Sequence, residues 1–140
     1  LTTANLKGAI LTNVFADRAT FRSADLRGIV AMGADLRNSD MEGADIEGAT
    51  LVGADLSRAN LLRANLAGAD LRDANLSYAN LSGANLSRAN LQGATIYGTN
   101  LKHANFYKAD LRKSKISSVL KLNTDFCKAI MPDGKIGKCK

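Results

Sequence analysis

Tryptophan is absent from this 140-residue chain, histidine and proline each occur once, cysteine twice, and aromatic residues amount to only 5%. These scarcities narrow the functional classes at once. A lone His103, no glycine-rich phosphate loop and no nucleophile with an identifiable base argue against an enzyme, so no catalytic residue is assigned. Nor is a cofactor expected. No apolar run is long enough to cross a bilayer, and Leu1 does not open the basic, apolar and small-residue series of a signal peptide, which reads as a mature or trimmed product. Long Gly-, Pro- or Ser-rich stretches are missing too, so one domain is expected, with 46% hydrophobic residues to build its core.

What is present is a repeat. From Ala4 to Ser118 the pattern Ala-(Asp/Asn)-Leu-x-x runs through twenty-three consecutive units without insertion or deletion. Position one is Ala in 18 of 23 units, and position three is Leu, Ile, Met or Phe in 21 of 23, so both are read as inward-facing. An α-helix cannot use this period, because five steps of about 100° smear the apolar residue around the whole cylinder. A flat strand fails because a period of two would send it to the opposite face in alternate units. Within one unit, however, positions one and three share a side. If the last two residues turn the chain, each unit becomes one side and one corner of a polygon, stacked on its neighbours at about 4.8 Å.

The narrow interior of such a coil explains the partition between leucine on the axis and alanine where backbone comes close. Val14 and Ile29 bring bulk to position one where Ala16 and Ala31 hold position three, as if volume were exchanged within a layer. Position two is Asp or Asn in most units, types that bond neighbouring backbone at turns and stack in ladders. The series Asn60, Asn65, Asn75, Asn80, Asn85, Asn90 is therefore assigned to architecture.

Tandem A(D/N)LXX resembles the pentapeptide-repeat family, over about four-fifths of the chain. The resemblance implies an all-β solenoid, a right-handed quadrilateral β-helix of four units per coil, in which residues twenty apart stack. Twenty-three units would then give about six coils and about 28 Å of rod. The regular repeat is expected to end at Ser118, dividing the chain into a β-helix over 1–118 and a cap over 119–140. Lys121 stands at the leucine position, and Ile116–Leu122 reads as a short amphipathic α-helix closing the last coil's apolar cross-section and strand edges. Phe126 in Thr-Asp-Phe fits one returning unit.

Cys127 and Cys139 both fall in this cap, with a Pro132-Asp133-Gly134 turn between them. They read as a disulfide, with free thiols and a metal site as alternatives. Zinc normally takes four ligands, so two cysteines with the single distant His103 make a poor zinc site, and there is no CxxC redox motif. A disulfide points to an oxidising compartment. The Phe-Cys-Lys-Ala-x-Met-Pro-Asp-Gly...Cys tail resembles that of lumenal pentapeptide-repeat proteins of plants and cyanobacteria. That implies the thylakoid lumen, or a cyanobacterial lumen or periplasm.

Charge is uneven. Residues 1–99 hold 9 Lys and Arg against 10 Asp and Glu, and residues 100–140 hold 10 against 3. A basic end attracts nucleic acid, anionic lipid or acidic protein, or serves as a solubilising cap. It lacks the interleaved aromatics that read bases, so no nucleic-acid partner is expected. Some bacterial members of the family imitate duplex DNA and occupy gyrase, a role that needs an acidic rod and is disfavoured here. The acidic group Asp40, Glu42, Asp45 and Glu47 reads as a solvated face, a loosely held cation being the alternative. The favoured reading is a noncatalytic, monomeric scaffold that binds protein. With four units per coil, Ile10 and Val30 stack at position two and Met32 and Val52 beside them at position four, where apolar residues should point outward. A further reading has reduction of Cys127 and Cys139 loosen the cap and regulate binding.

Overall fold

The computed structural model describes residues 2–119, 121 and 123–139. Each unit ends in a corner closed by one hydrogen bond. The N–H of the next position-one residue donates to the position-three carbonyl, as in Ala9 N to Leu6 O at 2.9 Å and Ala64 N to Leu61 O at 3.0 Å. Position five is the third residue of that turn and carries positive φ, from Gly8 at 69° to Lys128 at 58°. A type II turn requires this, and glycine meets it without a steric penalty. Arginine, lysine and tyrosine also stand there, as at Arg58, Tyr78 and Lys108, at roughly 1–2 kcal/mol of local strain each.

Between corners the backbone bonds to the coils on either side. Position two pairs in parallel with the residue twenty further on, from Asn5 with Asp25 to Asp110 with Ile130. Leu66 N donates to Asn85 O at 2.7 Å, and Asn85 N to Ala64 O at 3.0 Å. Twenty residues per turn make four sides, the right-handed quadrilateral β-helix. The longest paired segments are β1 (Thr95–Tyr97) and β2 (Lys115–Ser117), parallel and in register with Ile96 opposite Ile116. We number the faces by their axial residue in the first coil: face 1 from Leu6, face 2 from Leu11, face 3 from Ala16 and face 4 from Phe21.

The axis is filled by leucine from Leu26 upward, with Leu56, Leu61, Leu66, Leu76 and Leu86 all fully buried. Each contributes about 2 kcal/mol by leaving water. The position-one alanines are buried with them, and so are Ile29 and Ala31, consistent with the exchange of volume between those two positions. Hydroxyls replacing alanine need partners: Ser39 Oγ donates to Leu36 O at 2.7 Å, Thr99 Oγ1 to Leu76 O at 2.8 Å and Thr124 Oγ1 to Leu101 O at 2.6 Å. Ser114 Oγ is buried with none.

The cap differs from the expectation of a short α-helix. Lys115–Ser117 is strand β2, Lys115 N donates to Ala94 O at 2.8 Å, and Ser118 turns a corner with φ 53°; Leu120 and Leu122 lie outside the described residues. A segment this short forms too few internal bonds to nucleate a helix, whereas the coil beneath offers a ready ladder. The frame also runs on past Ser118. Asn123 takes the corner with φ 53°, Phe126 stacks on Phe106 with ring centroids 5.1 Å apart, and Ala129 is buried.

Closure is by a β return. After Pro132-Asp133-Gly134 the chain doubles back, and Ile136 pairs antiparallel with Ile130. Met131 N donates to Lys135 O at 2.8 Å and Lys128 N to Gly137 O at 3.0 Å. In lower coils, N–H groups at those positions donate to the next coil. The tail thus takes the place of a further coil and satisfies the exposed edge. Gly137 is required, since a side chain there would run into the Phe126 carbonyl oxygen.

Candidate functional site

The coil register decides which outward side chains become neighbours. On face 2, Ile10 pairs with Val30 and Val30 with Thr50 along position two. Met32 and Val52 occupy position four of the second and third coils, so the four expected residues lie on one side of the rod over three coils. Ile10 is 78% and Met32 43% exposed, while Val30 and Val52 are half-buried. Phe15, 91% exposed, stands around the Asn13 corner at position two of face 3. It escaped the sequence reading, although the rule that selected Ile10, an apolar residue in the Asp/Asn slot, selects it equally.

The remaining faces are largely self-satisfied. On face 1, Asn65 Nδ2 donates to Asp45 Oδ1 at 2.9 Å, Asn85 Nδ2 to Asn65 Oδ1 at 3.1 Å and Asn105 Nδ2 to Asn85 Oδ1 at 3.3 Å. Each asparagine oxygen also accepts from a backbone N–H two residues on, as from Ser87 N at 3.1 Å. Aspartate, an acceptor only, can start such a ladder; asparagine, with donor and acceptor, propagates it. Face 4 repeats the device from Asp40 through Asn60 and Asn80 to Asn100.

The acidic group is divided by the Gly43 corner. Arg22 bridges Asp40 and Glu42 on face 4 at 3.0 and 2.7 Å, and Arg27 faces Asp45 on face 1 at 3.7 Å. Among the described residues no three His, Cys, Asp or Glu side chains are grouped to hold a metal ion. Other carboxylates are held by an arginine two residues on: Asp25 by Arg27, Asp35 by Arg37, Asp70 by Arg72 and Asp110 by Arg112, at 2.6–2.7 Å. The Arg27 guanidinium holds the Asp25 carboxyl down at about 2.

Two features lie toward the other end. Cys127 and Cys139 are joined in a disulfide, which leaves no free cysteine among the described residues. A depression of about 480 Å³ opens on face 1, floored by Ala67, Gly68 and Ser87 and bounded by Glu47, Arg88, Asn105, Tyr107 and Asp125. Its twenty-residue columns of small side chains were present in the sequence and went unread. No described helix is long and apolar enough to cross a membrane.

A family model described as pentapeptide repeats (8 copies) matches residues 1–38, 17–53, 39–77, 49–88 and 84–119. Among curated proteins, none matches the chain. Among solved structures, the chain is similar to a pentapeptide repeat protein, Rfr23, of the cyanobacterium Cyanothece 51142, at 30% identity and TM-score 0.74, covering 83% of this chain and 90% of that one. It is similar to a pentapeptide repeat protein of the Arabidopsis thaliana thylakoid lumen at 31% identity and TM-score 0.55, covering 83% and 70%. QnrB1, a plasmid-mediated fluoroquinolone resistance protein, shares the fold at 22% identity and TM-score 0.51, covering 88% and 77%.

Proposed function

Since the chain belongs to the pentapeptide-repeat family, we propose that it is a noncatalytic scaffold of the thylakoid lumen, or of a cyanobacterial lumen or periplasm, that holds another protein on face 2. The observation that carries this reading is the contiguity of Ile10, Val30, Met32 and Val52 on the outside of a rod whose other faces carry mostly polar side chains at the same positions, Phe15 and Leu62 being exceptions that stack on no other apolar residue of their columns. Apolar surface gathered in one place, rather than scattered singly, marks a contact surface. The lumenal assignment is supported by the Cys127–Cys139 disulfide, which needs an oxidising compartment, and by the similarity to the Arabidopsis lumenal protein. Pairing of Asp25, Asp35, Asp70 and Asp110 with arginine makes a poor imitation of a DNA backbone, so the reading as a gyrase-directed DNA mimic is not adopted.

Replacing Val30 and Met32 together with serine tests the proposal, because neither residue belongs to the axial core. Copurification from lumenal extract should lose the partner while the melting temperature stays within a few degrees. Undiminished capture by the double variant would overturn the assignment of face 2. A second reading, a redox-sensitive cap, is favoured by the disulfide tying the edge-covering tail to the last coil. It predicts that dithiothreitol alters partner capture, and equal capture with and without reductant contradicts it.

A further inference from the structure

The corner between faces 1 and 2 changes character along the rod. It is glycine in four successive coils, Gly8, Gly28, Gly48 and Gly68, and cationic in the next three, Arg88, Lys108 and Lys128. Space does not force the change, since a Cβ added at any of those four glycines would meet nothing within 4 Å. Backbone conformation opposes it: the three cations hold φ of 59°, 58° and 58°, where glycine is unstrained. None of the three forms an ion pair with another described residue, whereas Asp70 and Asp110 on the adjoining face are each matched by an arginine. The Lys108 and Lys128 ammonium groups lie 5.1 and 5.9 Å from the centre of the Tyr107 ring. Tyr107 is one wall of the face 1 depression, Arg88 its flank and Glu47 its far end.

We propose that this groove and its cationic edge bind an acidic amphipathic helix of a partner protein, laid along the rod with carboxylates toward Arg88, Lys108 and Lys128. Spacing favours that occupant. Cations one coil apart repeat at about 4.8 Å and span about 9.6 Å over three coils. Helix residues at i, i+4 and i+7 lie about 6 and 10.5 Å along their axis, within the reach of flexible lysine and arginine stems. Same-face residues of an extended strand step by about 6.8 Å and fall out of register by the third cation. The floor of Ala67, Gly68 and Ser87 lets helix backbone approach, and the lining from Glu47 to Asp125 runs over five coils, about 19 Å, enough for three helical turns. Glu47 and Asp125, at the groove margins, repel a uniform polyanion such as duplex DNA but suit a helix that carries acid on one stripe only.

The site is separate from the face 2 patch and is tested separately. The probe is a fluorescein-labelled helical peptide with Glu at i, i+4 and i+7, measured by anisotropy at low ionic strength against the full chain. The variant is Arg88→Gly, Lys108→Gly and Lys128→Gly together, which restores the glycine of the earlier coils and so keeps the corner. Binding should weaken about tenfold, as expected for three exposed charge pairs lost, with no fall in melting temperature. Arg58→Gly with Lys113→Gly, at other corners, should leave affinity unchanged, as should Val30→Ser with Met32→Ser. Equal binding by the triple variant overturns the proposal. So does equal binding of a peptide with the same composition but glutamates distributed around the helix, or tighter binding of duplex DNA than of the peptide.

Discussion

Replacing Cys127 and Cys139 with serine should open the end of the rod without weakening its middle. The bond joins residues 12 apart in sequence, and in the chain-entropy account a loop of that size stabilises by about 3 kcal/mol. The bonds released with the tail are Met131 N to Lys135 O, Lys128 N to Gly137 O and Gly137 N to Ala129 O. Since each 1.4 kcal/mol is a factor of ten, local opening should become about one hundred times more frequent. Amide hydrogen exchange reads this residue by residue: the Lys128, Met131 and Gly137 amides should exchange about one hundred times faster, and those of Leu66 and Leu86 at their former rate. Locality follows from a stack in which each coil contacts only its neighbours. Unchanged exchange at the cap, or equal acceleration along the whole rod, would refute the reasoning.

Ser114→Ala should stabilise by about 1 kcal/mol in urea unfolding, because it removes a buried hydroxyl with no partner and restores the common residue of its position. Leu66→Ala should cost about 3 kcal/mol by the same assay, and Leu6→Ala clearly less, since Leu66 is fully buried and Leu6 half-buried. Asp25 should titrate near about 2 by carbon-detected NMR and return toward 3.8 in Arg27→Ala, because the arginine hydrogen bond is the chief cause of the depression. A folded-state value below the unfolded one means that this pairing supports the fold above about pH 4, and that the support is lost as pH falls through about 2.

The coil was legible because its period is short and its code redundant. Leu and Ala at positions three and one report burial, and the structure buries them without exception from Ala24 to Leu36. The cap was misread because Ile116–Leu122 has helical amphipathicity locally, while the deciding interaction, strand β2 on β1, depends on a residue twenty positions away. The β return at Lys135–Gly137 was hidden for a different reason. Its signal is one glycine packed on the Phe126 carbonyl, and nothing in the neighbouring residues announces that approach. On the surface, Ile10, Val30, Met32 and Val52 emerged from columns twenty apart. Arg88, Lys108 and Lys128 obey the same arithmetic, but they sit at the corner, a position the sequence treats as a turn.

The division of labour between repeat and deviation is tested most directly by site-specific photocrosslinking in the protein's native compartment. A diazirine amino acid is placed at Met32 on face 2 and, in a second chain, at Ser82 on the opposite face 4. The account predicts one saturable protein adduct from the Met32 site, lost when Val30 is also changed to serine, and no corresponding adduct from Ser82. The same adducts from both positions would contradict it.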